Sequence, residues 1–382
     1  MSTLEGFEGF EGFEGFEGFE GFEGFGASGA RSPANPSALI AHREGIVGSW
    51  PAVWPGTAWD SAAIARGVLG PLQRWDPRIR RFLFESELLA SLYFAVDKTP
   101  GGASGTQQWA TLWNFNETSG ATGQTAPGGT WSPFVTMTRP TEAILLQQLD
   151  LVNGYSDLRN DRAREIVDQM SPQFAYWASV VPLYQARHPR TLELVQMVLR
   201  LAKYAEMNFK HALCVRRPHE YSPQVQPMIQ TPIHGSLPSG HSTEAHAVAR
   251  VLGKLIESAT APAAATLQLC QQLTRQAARI AINRTVAGVH YPVDSLAGQM
   301  LGLAIGEYFI ARATGGAKKV GSWTFDGEAY PGSGDFSGSE IYDLMTDAMN
   351  PVPTYLIKNT DITVNEAPGL KWLWGKAQDE GK

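Results

Sequence analysis

Beyond residue 58, apolar residues recur along the chain at the three- and four-residue steps of a helix. The spacing predicts helices over 76–96, 139–159 and 188–213, each opening on Pro or Asp, and again over 241–258, 262–287 and 292–313. Between the first two lies a Gly- and Thr-rich stretch, Thr99 to Pro133, which reads as a long loop. The Gly-rich segment after residue 314 carries no assignable pattern, and no series of alternating strands is evident. The expected fold is therefore all-α, a helical bundle.

Residues 5–25 follow a different rule. Seven Glu-Gly-Phe triplets give a three-residue period that matches neither helix nor strand, and Gly at every third position argues for disorder. Either the repeat is tolerated at a terminus, or it is a multivalent tail with charge-spaced aromatics that recruits a partner. The expected division is a disordered tail over 1–30 and one helical domain over 31–382, with a catalytic core at about 190–314. Setting the seven glutamates aside turns the formal charge of −6 into about +1, which argues against a nucleic-acid surface.

Cys214 and Cys270 are too few for a disulfide framework and lack metal-ligand spacing, so both read as small core residues. The start of the chain has neither the basic residues nor the apolar run of a secretory signal. The most apolar segment is interrupted by Gln299 and Glu307 and is not read as a membrane span. A soluble cytoplasmic protein is expected.

Candidate chemistry centres on residues 235–247, "GSLPSGHSTEAHA". Pro238-Ser239-Gly240-His241 precedes a clear helical run, so it forms the entry to a first turn whose backbone N–H groups lack helical partners. Those groups, the positive end of the helix dipole and the Ser239 hydroxyl make a cradle for a tetrahedral oxyanion. Cations should accompany it. Upstream, Lys210 and Arg217 lie seven residues apart, close to two helical turns, and are expected on one face before Pro218 ends the helix. Downstream come Arg284, His290 and Asp294. Gly288 can end one helix and Pro292 start another, which places His290 in a turn where Asp294 can fix its tautomer.

These three motifs, Lys-x6-Arg-Pro, Pro-Ser-Gly-His and Arg-x5-His-x3-Asp, resemble those of the superfamily of type 2 phosphatidic acid phosphatases and vanadium-dependent haloperoxidases. Asn283 stands where that family usually has Ser. The resemblance implies a helical bundle with a pocket for phosphate or vanadate. It casts Lys210, Arg217 and Arg284 as binders of the anion's oxygens, with Ser239 and Gly240 completing the cradle. His290 becomes the covalent partner of phosphorus or vanadium, and His241 the acid/base.

The same resemblance allows two chemistries: a vanadate-dependent haloperoxidase acting on peroxide and halide, or a phosphatase without cofactor acting on phosphomonoesters. The absence of a span, the helical sequence ahead of Lys210 and His234, at the position where bromide enzymes carry His, favour the haloperoxidase. Met207, where the peroxidases tend to have Trp, opposes it. A third reading is a binding or assembly protein, possible as a homo-oligomer, acting through the repeat tail.

Overall fold

The computed structural model describes residues 72–96, 109–120, 125–171, 173–258, 262–339 and 353–381. The Glu-Gly-Phe tail and the rest of 1–30 lie outside the described residues. Helix α1 (Pro77–Leu89) opens where the Asp76 side chain accepts the Arg78 N–H at 2.8 Å. Strands β1 (Leu92–Val96), β2 (Trp109–Ser119) and β3 (Gly128–Thr138) follow. Next come α2 (Glu142–Tyr155), α3 (Arg159–Asp168) and the short α4 (Phe174–Ala178). Four segments carry the motifs: α5 (Pro189–Leu213) with the one-turn α6 (Pro218–Tyr221), α7 (Gly240–Glu257), α8 (Ala263–Val286) and α9 (Pro292–Thr314). The chain finishes with β4 (Lys318–Val320), β5 (Trp323–Phe325), β6 (Leu356–Lys358), β7 (Ile362–Val364) and α10 (Pro368–Glu380).

The fold is mixed α/β, which corrects the all-α expectation. A five-stranded sheet runs in the order β1-β2-β3-β5-β6, antiparallel except for the parallel β3–β5 pair, and β4 pairs with β7. The stretch read as a loop contains all of β2 and the first half of β3. Its signal was a period of two: Ala110, Leu112 and Asn114 are buried, while Trp109, Thr111, Trp113 and Phe115 are only partly covered. Pro133, which cannot donate to a ladder, sits opposite Trp113 where the register slips. The apolar run after α1 also misled, because it changes from helix to strand at residues 90–92.

Leu112, Phe134, Val135 and Phe325 of the sheet share one apolar core with α5, α7 and α9. Helix α9 lies at its centre, with every residue from Pro292 to Gly306 buried. Close approach to α7 depends on Gly298, Gly302 and Gly306, spaced four apart on one face. A Cβ on Gly298 would stand 2.6 Å from Ser239 O, and one on Gly302 2.3 Å from Thr243 O. This contact sets the entry of α7 beside the first turn of α9.

Candidate active site

Lys210 and Arg217 do not share a helix face, contrary to the sequence expectation. Helix α5 stops at Leu213, Cys214 turns left-handed with φ 47°, and Arg217 stands as the extended N-cap of α6. Pro218 disfavours helical geometry in the residue before it, which explains the early break. The same turn leaves Cys214 exposed, so only Cys270 is the buried residue that both were taken for. Arg216 points outward over the Tyr221 ring, 5.9 Å from its centroid.

Although on separate elements, the two cations meet at one loop. The Lys210 ammonium donates to the carbonyls of Gly235 (3.4 Å), Ser236 (3.1 Å) and Pro238. Arg217 donates to the carbonyls of His234 (3.2 Å), Gly235 (3.3 Å) and Val289 (2.8 Å). Both side chains are buried, and burial together with Arg217 pulls Lys210 down to about 7. Residues 234–238 are thus shaped by charge-assisted hydrogen bonds. Gly235 is required there, since a Cβ would stand 2.6 Å from the Lys210 carbonyl.

Ser239 is the N-cap of α7, but its side chain makes no capping bond. Its hydroxyl is buried and without a partner, while its N–H donates to the Asp294 carbonyl at 2.9 Å. The first turn of α7 therefore meets α9 with its donors uncapped.

His290 lies in the turn between α8 and α9, as the sequence suggested, after Gly288 turns the chain at φ 78°. Its Nδ1 is 3.0 Å from Asp294 Oδ2, and its Nε2 is 3.1 Å from Arg217 Nη1. A guanidinium only donates, so Nε2 carries the lone pair and Nδ1 carries the proton. Asp294 also accepts from the Tyr291 N–H at 3.0 Å and from the Ser236 hydroxyl. Burial, with Arg217 and Lys210 beside it, holds His290 well below the usual histidine range. The result is a neutral imidazole with a fixed tautomer, the form that can attack an electrophile.

Arg284 approaches from α8. Its Nη2 donates to Gln169 Oε1 (2.8 Å) and to the Ile166 carbonyl (3.2 Å), while its Nε and Nη1 are buried without partners. Gln169 also accepts from Asn283 at 3.0 Å, and its carbonyl lies 2.9 Å from His241 Nε2. That contact makes His241 Nε2 a donor and leaves Nδ1 the lone pair. Burial and the Arg284 charge keep His241 well below the usual range. His234 Nδ1 is 3.2 Å from Arg217 Nη2, and burial pulls this histidine down to about 3.

Lys210, Arg217, His234, Ser239, His290 and Asp294 are thus joined by hydrogen bonds around residues 234–239, while Arg284 and His241 form a second group joined through Gln169, and Gly240 lies between Ser239 and His241 at the start of α7. Gln169 and Ser236 were missed. Ser236 lay inside the quoted stretch, but Gln169 is distant in sequence and had no motif to mark it. A cavity of about 1130 Å³ runs along α8 past Leu267, Cys270 and Thr274 and includes none of these residues.

Residues 194–314 match the model of the PAP2 superfamily, a span that contains every sequence-predicted site residue. The chain carries a PAP2 superfamily domain. Gln169 and Ile166, whose oxygens accept from Arg284, lie outside the matched span. Among solved structures, the first transmembrane PAP2 type phosphatidylglycerolphosphate phosphatase from Bacillus subtilis is similar at 20% identity, covering 43% of this chain and 79% of that one. Its TM-score of 0.27 carries no structural argument. No curated protein matches the chain. No helix among the described residues is long and apolar enough to cross a membrane.

Proposed function

We propose that the PAP2 domain binds a tetrahedral oxyanion and hydrolyses phosphomonoesters through a phosphohistidine at His290. The observation that carries this is the set of buried groups without partners, Arg284 Nε and Nη1 and Ser239 Oγ, found together with the uncapped start of α7 and a neutral His290. Leaving such donors unpaired in a protein interior costs on the order of 1–3 kcal/mol each. Phosphoryl oxygens would satisfy them.

In this reading each group has a task. His290 Nε2 attacks phosphorus as Arg217 Nη1 turns from that lone pair to a phosphoryl oxygen, and Asp294 stabilises the imidazolium that forms. The ester P–O bond breaks with its electron pair on the leaving oxygen, which takes a proton from His241 Nδ1. The bound anion favours that proton, because a negative charge raises the affinity of a nearby imidazole. Neutral His241 then takes a proton from water as the oxygen adds to phosphorus. The P–N bond breaks and its electron pair returns to Nε2.

Vanadate has the shape of phosphate and would be held by the same groups, His290 Nε2 as its protein ligand and Arg284 and Ser239 as donors to its oxygens. When bound it would supply activation of peroxide toward halide, with His234 beside Arg217 at the pocket. The deciding experiment incubates the protein with p-nitrophenyl phosphate and quenches it in denaturant for mass spectrometry. Phosphate on His290 supports the phosphatase. Peroxide-dependent bromination after reconstitution with orthovanadate, without phosphohistidine, would replace it with the haloperoxidase.

A further inference from the structure

A carboxylate stands against the floor of the cradle. Glu206, one helical turn before Lys210 on α5, is fully buried beneath Gly240, and a Cβ on Gly240 would lie 2.7 Å from Glu206 Oε1. Glu206 Oε1 is paired with the Lys203 ammonium, whose Nζ is 3.1 Å away, while Oε2 is buried without a donor. The same ammonium lies 3.7 Å from Glu244 on α7. A negative charge here opposes the proposed business of the pocket, since it repels the ligand that Arg284 and the α7 entry attract.

We propose that Glu206, backed by Lys203 and Glu244, is a positioning residue that makes the cradle select singly charged, protonated oxyanions over doubly charged ones. The inference rests on the oxyanion reading of the site. A fixed anionic charge near a partly desolvated ligand penalises each further ligand charge. An acceptor without a donor adds to this, because it favours a ligand that still carries a proton. Lys203 limits the penalty by neutralising one charge. Burial and Glu206 push Glu244 up to about 7, which keeps it largely neutral in acid. The other charged or titratable groups facing the triad are Lys210 of α5, His241 of α7 and Arg217.

Phosphate and sulfate separate the possibilities at about pH 5.5, where phosphate is singly charged and protonated while sulfate is doubly charged and carries no proton. Binding of each is measured by calorimetry on the full chain. Wild type should prefer phosphate by about tenfold or more, the scale of one charge–charge interaction in a partly screened site. Glu206→Gln should bring the two within about threefold, chiefly by tightening sulfate. Glu206→Asp, which keeps the charge, should retain the wild-type preference, and Lys203→Met should widen it. A role in packing alone would weaken both anions together. An unchanged ratio in Glu206→Gln, or a shift of the same sign in Lys203→Met, overturns the inference while leaving the pocket intact. Binding of neither anion by wild type overturns the oxyanion reading as well.

Discussion

Replacing Gly302 by Ala tests the helix contact that brings the motifs together. The new Cβ would stand 2.3 Å from Thr243 O, with Ala247 N and His246 Cβ each at 3.1 Å. Two of these are backbone atoms, so no rotamer change relieves the contact, and α7 and α9 must separate by about 1 Å at this point. Overpacking of this kind costs about 3 kcal/mol. The higher helix propensity of Ala returns about 1 kcal/mol. The net loss of about 2 kcal/mol should lower Tm by about 4 °C in a chain of this size. Gly375→Ala is the control, because it is the same change inside α10 with nothing within 4 Å of the added carbon. It should raise Tm by about 2 °C. Thermal denaturation followed by circular dichroism measures both, and phosphate-induced stabilisation should shrink only in the Gly302 variant. A Gly302→Ala protein that melts at or above wild type would refute this account of the interface.

Other expectations follow from the site. His290→Ala should abolish turnover, whereas His241→Ala should lose about 10²–10⁴-fold, the usual weight of proton transfer, and steady-state rates compare the two. Orthovanadate at a hundredfold excess over its Kd should stabilise wild type by about 2.7 kcal/mol, read from the melting shift, and Arg284→Ala should lose most of this. His246 is buried with Nδ1 2.7 Å from the Ser242 carbonyl, Nε2 without a partner and a pKa lowered by burial to about 4. The unfolded chain binds that proton near pH 6.5, so stability is fully present above this value and is lost on acidification toward 4, by about 2 kcal/mol at pH 5. Urea titrations at pH 7 and 5 should show a loss to which His234, His241 and His290 also contribute, and His246→Asn should make it smaller by about 2 kcal/mol whatever its own stability.

Much of the site was legible because its chemistry is local. Pro238, Ser239 and Gly240 mark a helix entry by their own backbone properties. Gly288 and Pro292 bracket His290, and Asp294 follows at a spacing that reaches its ring. Lys203, Glu206 and Lys210 also lie three to four residues apart on α5, so the buried carboxylate could have been noticed beside the motif lysine. Its position beneath Gly240 could not, since that depends on how α5 meets α7.

The sequence by itself determined α5, α7, α8 and α9, because a periodic apolar face and a terminating Gly or Pro act within one segment. It marked the residue types of the proposed oxyanion site. Tertiary structure decided the sheet, whose strands β3 and β5 pair across almost two hundred residues and whose Gly- and Thr-rich composition imitates a loop. It decided that Arg217 reaches the pocket from its own turn, that Gln169 holds Arg284 and His241, and that the His290 lone pair faces a guanidinium. Hydrogen bonds of this kind join groups remote in sequence, and their geometry exists only after the apolar core has fixed the helices against one another.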